Sequence, residues 1–295
     1  LGFLYFRQGR SGDLVQMALV QGTGDSARNG RHYRDPDASA AAGSSLKGRV
    51  RRLKSINLGI VGYGIRSKVL IGAAGAMPEM NLAAVADLNS AAREKAQADF
   101  PNAQVFDDYL QMLESGKVDA VLIESPPSTH AQCSIEALNR GVHVLSDVPA
   151  VHEIPEAAEL WRTASDSSAI YSFGATTNWW AFVDTCADLK AKGMIGKPVY
   201  CEAEYVADLG SLPEATPWRK HYEPIRYCTH SLGPILRWVD EDLSEVACFD
   251  TGSQINKEDG DHDAMVAIYK TPSGTLVKLL TSFINSHPEI GRAHV

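Results

Sequence analysis

The chain has 295 residues, a length that favours two domains with some residues to spare. Hydrophobic residues make up 44% of the sequence and charged residues 22%, which is typical of a globular protein rather than a disordered or fibrous one. The 36 acidic residues outnumber the 28 lysines and arginines, so the net charge is −8. This charge argues against a broad contact with a phosphate backbone, and no nucleic-acid partner is expected.

Cysteine spacing and hydropathy argue against disulfide-rich, metal-binding and membrane-spanning proteins. The five cysteines are widely spaced, and no two of them form a C-x-x-C motif. Neither a disulfide framework nor a metal site is therefore predicted, and a reducing compartment fits best. No apolar stretch of the sequence approaches the ~20 residues that cross a bilayer. We expect a cytoplasmic protein without a membrane partner.

The first half of the chain falls into two parts. Residues 1–54 show no sustained strand or helix period, and we expect a poorly ordered leader there. From residue 55 to residue 176, short apolar strands alternate with amphipathic helices, which predicts a parallel sheet covered on both faces and doubly wound by right-handed crossovers, a Rossmann domain. The predicted strands are 56–61, 82–86, 104–106, 118–123, 143–145 and 170–174, and the clearest helices are 91–99, 107–115, 130–139 and 155–165.

Residues 177–295 have a different pattern and predict an α+β domain with a mainly antiparallel sheet. One helix is expected at 180–192, followed by strands at 198–206, 245–250, 264–270 and 275–283. The triplet Pro272-Ser273-Gly274 separates the last two strands and suits a hairpin turn. Because the pattern stops after three or four strands and the tail 291–295 does not resemble a finishing element, we interpret this domain as incomplete.

A glycine-rich turn lies between the first strand and the first helix. The run is Gly62-Tyr63-Gly64-Ile65-Arg66-Ser67. Gly62 would allow a tight turn and Gly64 a close approach of the backbone to a diphosphate, while Ser67 stands where a third glycine is expected. The free N–H groups and the positive end of the helix dipole would hold the phosphates. We predict a dinucleotide site that includes residues 62 and 64–66.

Asp87 ends the second strand, about twenty residues after the glycines. A carboxylate there would accept hydrogen bonds from a ribose 2′-hydroxyl and repel a 2′-phosphate, so NAD is predicted as the cofactor rather than NADP. The alternative is that Asp87 only caps the helix that starts near Ser90.

Two loops should border this cofactor, because ligands of such sheets bind beyond the carboxyl ends of the strands. The fourth strand is followed by Glu124-Ser125-Pro126-Pro127-Ser128-Thr129-His130, and the fifth ends at Ser146-Asp147-Val148-Pro149. Cofactor contacts are predicted for Ser125, Pro126, His130, Asp147, Val148 and Pro149. The alternative for His130 is an ordinary residue of a first helical turn.

A further motif in the second domain is Tyr227-Cys228-Thr229-His230-Ser231-Leu232-Gly233-Pro234. If a helix begins at Thr229 or His230, then Tyr227 and His230 lie about a turn apart and can face one pocket. A histidine can exchange protons near neutral pH, and a tyrosine can donate a hydrogen bond to a substrate oxygen. The alternative is a histidine packed beside a helix start.

Taken in order, these motifs resemble the Gfo/Idh/MocA oxidoreductase family. The resemblance spans residues 56 to about 283, and its carriers are Val118-Asp119-Ala120-Val121, Pro126-Pro127, His130, Gly141-Val142-His143-Val144-Leu145 and Asp147-Val148-Pro149. It implies an oxidoreductase that acts on a sugar, a homodimer that pairs through the open face of the second-domain sheet, and His230 as the catalytic histidine of the second domain. In that family a Glu-Lys-Pro tripeptide is usual, so Val148 stands in place of a lysine that acts near the hydride-transfer centre.

The motif around His230 resembles the branch of this family that contains the NAD-dependent glycoside hydrolases of family 109. That resemblance implies transient oxidation of a sugar at C3, elimination of the glycosidic substituent, addition of water and return of the hydride. Besides Tyr227 and His230, it makes Tyr205 and Asp208 candidate site residues, with Tyr205 named as catalytic. The branch tends to have Tyr-x-His-Asp where this chain has Tyr205-Val206-Ala207-Asp208, so an imidazole is missing at Ala207.

The leading hypothesis is therefore an NAD-dependent oxidoreductase acting on a carbohydrate. Two alternatives stay open, an NAD-requiring retaining glycosidase and an NAD-binding protein without catalysis. Trp179, Trp180, Trp218 and Arg219 are candidates to line the sugar cleft, with one member of the Trp179-Trp180 pair interpreted as a core residue.

Overall fold

The computed structural model describes residues 55–208, 216–219, 221–255 and 262–284, together with a short antiparallel pair formed by Arg7–Gln8 and Val15–Gln16. Apart from that pair, the predicted leader 1–54 lies outside the described residues, and so does the tail 291–295.

The first unit is built on a six-stranded sheet in which every neighbouring pair is parallel. Its strands are β1 (Ile56–Val61), β2 (Met80–Ala86), β3 (Gln104–Phe106), β4 (Ala120–Ile123), β5 (His143–Ser146) and β6 (Tyr171–Phe173). Their order across the sheet is β3-β2-β1-β4-β5-β6. The predicted doubly wound sheet is confirmed, and its order reverses between β1 and β4, where such folds bind their ligands.

Five helices connect these strands. They are α1 (Ile65–Gly75), α2 (Ser90–Asp99), α3 (Tyr109–Glu114), α4 (His130–Asn139) and α5 (Ile154–Asp166). Helix α3 begins two residues later than the sequence predicts, because the Asp108 carboxylate accepts a hydrogen bond from the Leu110 N–H at 2.8 Å and so caps the helix from outside.

Apolar side chains of the central strands alternate between two buried clusters. Ile60 and Leu122 belong to one cluster, while the next residues in each strand, Val61 and Ile123, belong to the other. A sheet buried on both faces needs apolar residues at successive positions, which explains the nearly continuous apolar runs in the sequence.

The second unit carries a four-stranded mixed sheet and two helices. The elements are α6 (Ala181–Ala191), β7 (Tyr200–Val206), α7 (Thr229–Leu236), β8 (Glu245–Asp250), β9 (Ala264–Lys270) and β10 (Leu276–Ser282). Across the sheet the order is β8-β9-β10-β7; the first two pairs are antiparallel and the last pair is parallel. Gly274, with φ of +94°, turns the β9–β10 hairpin. The predicted mainly antiparallel sheet is confirmed.

Within the part of the chain that the structure describes, no helix has both the length and the apolar character needed to cross a membrane.

Candidate active site and cofactor crevice

The glycine turn leaves the start of α1 open. Gly62 has φ of +92°, and a Cβ atom there would lie 2.8 Å from the Ser125 nitrogen, so only glycine fits between β1 and the loop after β4. At Gly64 a Cβ atom would meet nothing within 4 Å, and no side chain caps the helix there. Ser67 is fully buried, and its hydroxyl donates to the Gly64 carbonyl at 2.9 Å. This cradle of free backbone N–H groups suits a diphosphate.

Asp87 links the glycine turn to the end of β2. Its carboxylate accepts hydrogen bonds from the Tyr63 N–H at 2.7 Å and from the Asn89 N–H at 2.8 Å. The side-chain cap of α2 is Asn89, which accepts from the Ala91 N–H at 2.9 Å, so the alternative of Asp87 as a helix cap is wrong. The carboxylate therefore lies beside the diphosphate cradle, on the β2 side.

His130 braces the two loops that follow β4 and β5. Its ring is buried, with one nitrogen 2.7 Å from the Ser125 carbonyl oxygen and the other 2.8 Å from the Pro149 carbonyl oxygen. Both nitrogens are thus occupied by backbone. The ring positions Ser125 and Pro149 rather than facing an open crevice.

A charged group lies where the two loops meet α1. Arg66 Nε donates to Asp147 Oδ2 at 3.2 Å. Glu124 is half-buried as a residue, but both of its carboxyl oxygens are buried and without a hydrogen-bond partner among the described residues. Burial and the nearby Asp147 raise the pKa of Glu124 to about 8, against the opposing effect of Arg66. Glu124 is not among the site residues predicted from the sequence, although an acidic residue directly after an apolar parallel strand was the available signal.

Three predicted catalytic residues come together on the second unit. His230 lies in the first turn of α7, where its ring stacks on Tyr205 with centroids 5.3 Å apart and tilts against Tyr227 at 5.4 Å. Its Nδ1 atom is buried without a partner among the described residues. Burial lowers the pKa of His230 to about 4, with Asp147 opposing and Arg66 reinforcing the shift. Charged groups of the first unit therefore act on this ring.

The two departures from the family pattern lie in one apolar cluster. Val148 and Ala207 are both buried, and they pack with Ala175, Tyr222, Tyr227 and Phe283. The positions at which the resembled proteins tend to have a lysine and a histidine are therefore filled by hydrocarbon and aromatic rings here.

The tryptophan candidates divide between the cluster and the surface. Trp218 packs against the cluster, and the Arg219 guanidinium lies 4.3 Å from its ring centroid. Trp179 is exposed and contacts Arg237, whereas Trp180 is half-buried beside Phe182. Neither member of the Trp179-Trp180 pair is among the buried core residues, so the interpretation of one of them as a core residue is wrong.

No group of three or more histidine, cysteine, aspartate or glutamate side chains in the described ranges is arranged to hold a metal ion. The five cysteines are free thiols.

Residues 56–175 match a family model described as Oxidoreductase family, NAD-binding Rossmann fold. The chain is 28% identical over 152 residues to the uncharacterized oxidoreductase YdgJ of Escherichia coli. This alignment covers 51% of this chain and 43% of that protein. It is 23% identical over 297 residues to glycosyl hydrolase family 109 protein 1 of Phocaeicola vulgatus, covering 86% and 60%. The chain thus spans about two to three fifths of the length of these relatives.

Solved structures share the fold. A scyllo-inositol dehydrogenase from Lactobacillus casei with bound NAD(H) and scyllo-inositol superposes with a TM-score of 0.71 at 19% identity, covering 79% of this chain and 71% of that chain. The WlbA dehydrogenase from Bordetella pertussis, in complex with NADH and UDP-GlcNAcA, gives a TM-score of 0.71 at 20% identity, covering 80% and 73%.

Proposed function

We propose that the chain binds NAD and oxidises a hydroxyl-bearing carbon of a sugar or a sugar-like polyol, because residues 56–175 match the Gfo/Idh/MocA oxidoreductase family model. The observation that carries the proposal is that the cofactor loops and the candidate catalytic residues meet. Val148, from the loop after β5, packs in one cluster with Tyr227, whose ring contacts His230, and the charges of Arg66 and Asp147 act on the His230 ring. The sugar assignment draws support from the inositol and nucleotide-sugar ligands named for the structural neighbours.

The residues of the crevice would hold the cofactor as follows. The turn at Gly62 and Gly64 and the first N–H groups of α1, at Ile65 and Arg66, would bind the diphosphate. Asp87 would bind the adenosine ribose and repel a 2′-phosphate, which favours NAD over NADP. The loops that carry Ser125, Pro126, Asp147, Val148 and Pro149, braced by His130, would line the rest of the crevice. When bound, NAD supplies the hydride acceptor.

His230 is the proposed acid–base residue. Because its pKa is near 4, the imidazole is neutral at pH 7 and has a free lone pair to accept the proton of a substrate hydroxyl. Burial raises the pKa of Tyr205 to about 12, so this phenol stays protonated and can donate a hydrogen bond to the same substrate oxygen. Tyr227 contacts both rings and would fix their orientation.

The test begins with calorimetric titration of NAD and NADP, in which NAD should bind more tightly. A panel of inositols, sugars and sugar acids is then screened for NADH accumulation. His230→Ala should lower turnover about 10² to 10⁴-fold, as expected for loss of a general acid–base group. His262→Ala is the matched control, since His262 pairs with Asp250 on the second sheet. Unchanged turnover in His230→Ala would remove the proposed role.

A second candidate function is a retaining glycosidase that uses NAD without net redox change. It is favoured by the matches to proteins named glycosyl hydrolase family 109, one of which extends over 86% of this chain. The same assay separates the two reactions, because the glycosidase releases sugar without lasting NADH absorbance. Tight NAD binding with no turnover on any substrate would instead favour a binding protein without catalysis, in keeping with the apolar surroundings of Val148 and Ala207.

We also propose that the chain forms a homodimer through the outer face of the second sheet. That face exposes four apolar side chains, those of Tyr200, Phe249, Ile268 and Leu276. Apolar side chains grouped on one face indicate an interaction surface, whereas single exposed ones do not. A monomer in light scattering would exclude this arrangement.

A further inference from the structure

Glu124 forms part of the floor of the crevice at the point where the strand order reverses. It is the first residue after β4, and its N–H donates to the Val61 carbonyl at the end of β1 at 2.8 Å. A Cβ atom on Gly62 would lie 2.9 Å from the Glu124 carbonyl oxygen. The backbone of Glu124 is thus held at the switch point of the sheet, and both of its carboxyl oxygens are buried there.

The carboxyl group of Glu124 is buried next to one like charge and one opposite charge. Asp147, after β5, raises its pKa, and Arg66, on α1, lowers it; burial is the largest effect. The hydrogen bond from Arg66 Nε goes to Asp147, and the two oxygens of Glu124 have no hydrogen-bond partner among the described residues. From the second unit, Tyr227 lies close enough to act on the charge of Arg66, and the charges of Arg66 and Asp147 act on His230. An uncompensated buried carboxyl group is costly to ionise, so a further positive charge nearby is needed to stabilise its carboxylate form.

The order of the strands indicates which end of a dinucleotide would supply that charge. From β2 to β5 the crevice presents Asp87, the glycine turn, Glu124 and Asp147 in turn. The diphosphate is complementary to the helix start at Gly64, and the adenosine ribose to Asp87. The acidic side at Glu124 and Asp147 is then left for the nicotinamide end, whose ring is cationic when oxidised and neutral when reduced.

We propose that Glu124 loses its proton when the oxidised dinucleotide binds and keeps it when the reduced dinucleotide binds, so that this residue sets the preference between the two redox forms. The inference rests on the proposed cofactor binding. On binding of NAD⁺, the neutral carboxyl releases one proton to solvent and the resulting carboxylate compensates the ring charge. On binding of NADH, no proton moves.

Calorimetry in two buffers of different ionisation enthalpy measures this proton directly. At neutral pH the wild-type chain should release close to one proton per NAD⁺ bound and none per NADH. The ratio of NAD⁺ affinity to NADH affinity should rise about tenfold per pH unit and level off above pH 8, the region of the pKa of Glu124. This measurement on the unaltered protein needs no variant to fold.

Glu124→Gln removes the ionisable group and keeps its shape. Proton release should vanish, and the affinity ratio should become independent of pH; thermal unfolding monitors the fold. Glu114→Gln is the matched control, because Glu114 is exposed on α3 and pairs with Arg140. It should behave as wild type.

Four results would overturn the proposal. Proton release that persists in Glu124→Gln assigns the proton to another group, and equal weakening of NAD⁺ and NADH with rising pH indicates that Glu124 faces the diphosphate. Tight binding with a ratio that does not change with pH overturns the role of Glu124 alone, whereas failure to bind either form overturns the proposed cofactor binding as well.

Discussion

The two walls of the cleft are specified in different ways. The cofactor wall depends on backbone geometry: a positive φ at Gly62, an open helix start at Gly64 and loops braced through carbonyl groups. The opposite wall, formed by Tyr205, Tyr227 and His230 of the second unit, depends on side-chain packing, and Val148 from the loop after β5 packs there with Ala207 and Tyr227. Binding of the cofactor can therefore be retained while the acid–base groups beside the substrate are exchanged.

The largest expected effect comes from placing a cation at position 148, where Val148 packs against the opposite wall. Val148→Lys would bury an ammonium group in an apolar cluster without an acidic partner in it, which should lower the free energy of unfolding by about 4 kcal/mol. Val148→Met, of similar length and uncharged, should cost only about 1 kcal/mol. Chemical denaturation of both variants measures the difference. Equal stability would mean that the lysine reaches an acid in the cleft, and that the two walls are not independent.

The same contrast explains which site residues could be predicted from the sequence. Gly62, Gly64 and Asp87 could be predicted because a turn, a helix start and a strand end follow from the local pattern. Glu124 was missed because the charges that act on it, Arg66 on α1 and Asp147 after β5, are distant from it in sequence. In the same way, nothing local indicated that Val148, Ala207 and Tyr227 would share one cluster.

A smaller effect separates the roles of the two glycines of the cofactor wall. Gly62→Ala forces a Cβ into the Ser125 backbone at positive φ, and it should cost about 3 kcal/mol of stability. Gly64→Ala meets nothing within 4 Å and has an ordinary φ of −96°, so stability should not change. The added methyl would instead obstruct the diphosphate and weaken NAD binding about tenfold. Thermal unfolding and calorimetry on the same samples test both statements; a Gly64→Ala variant that binds NAD normally would contradict the proposed cradle.

The smallest effect is a pH dependence in which the two walls oppose each other. His230 has its pKa lowered to about 4, so the unfolded chain binds the extra proton and stability falls as the pH drops below about 6.5. Glu124 has its pKa raised to about 8, so the folded chain holds the extra proton and stability falls as the pH rises from about 4.5 towards 8. Between about pH 5 and 6.5 each group contributes about 1 kcal/mol per pH unit with opposite sign, and the two contributions nearly cancel.

Single variants should expose the two slopes. His230→Asn leaves the Glu124 contribution, and its stability should decline as the pH rises through this window. Glu124→Gln leaves the His230 contribution, and its stability should increase over the same range. Urea denaturation at several pH values measures both. A flat stability curve in one variant would mean that only the group removed in that variant titrates, and parallel slopes in the two variants would mean that neither group causes the pH dependence.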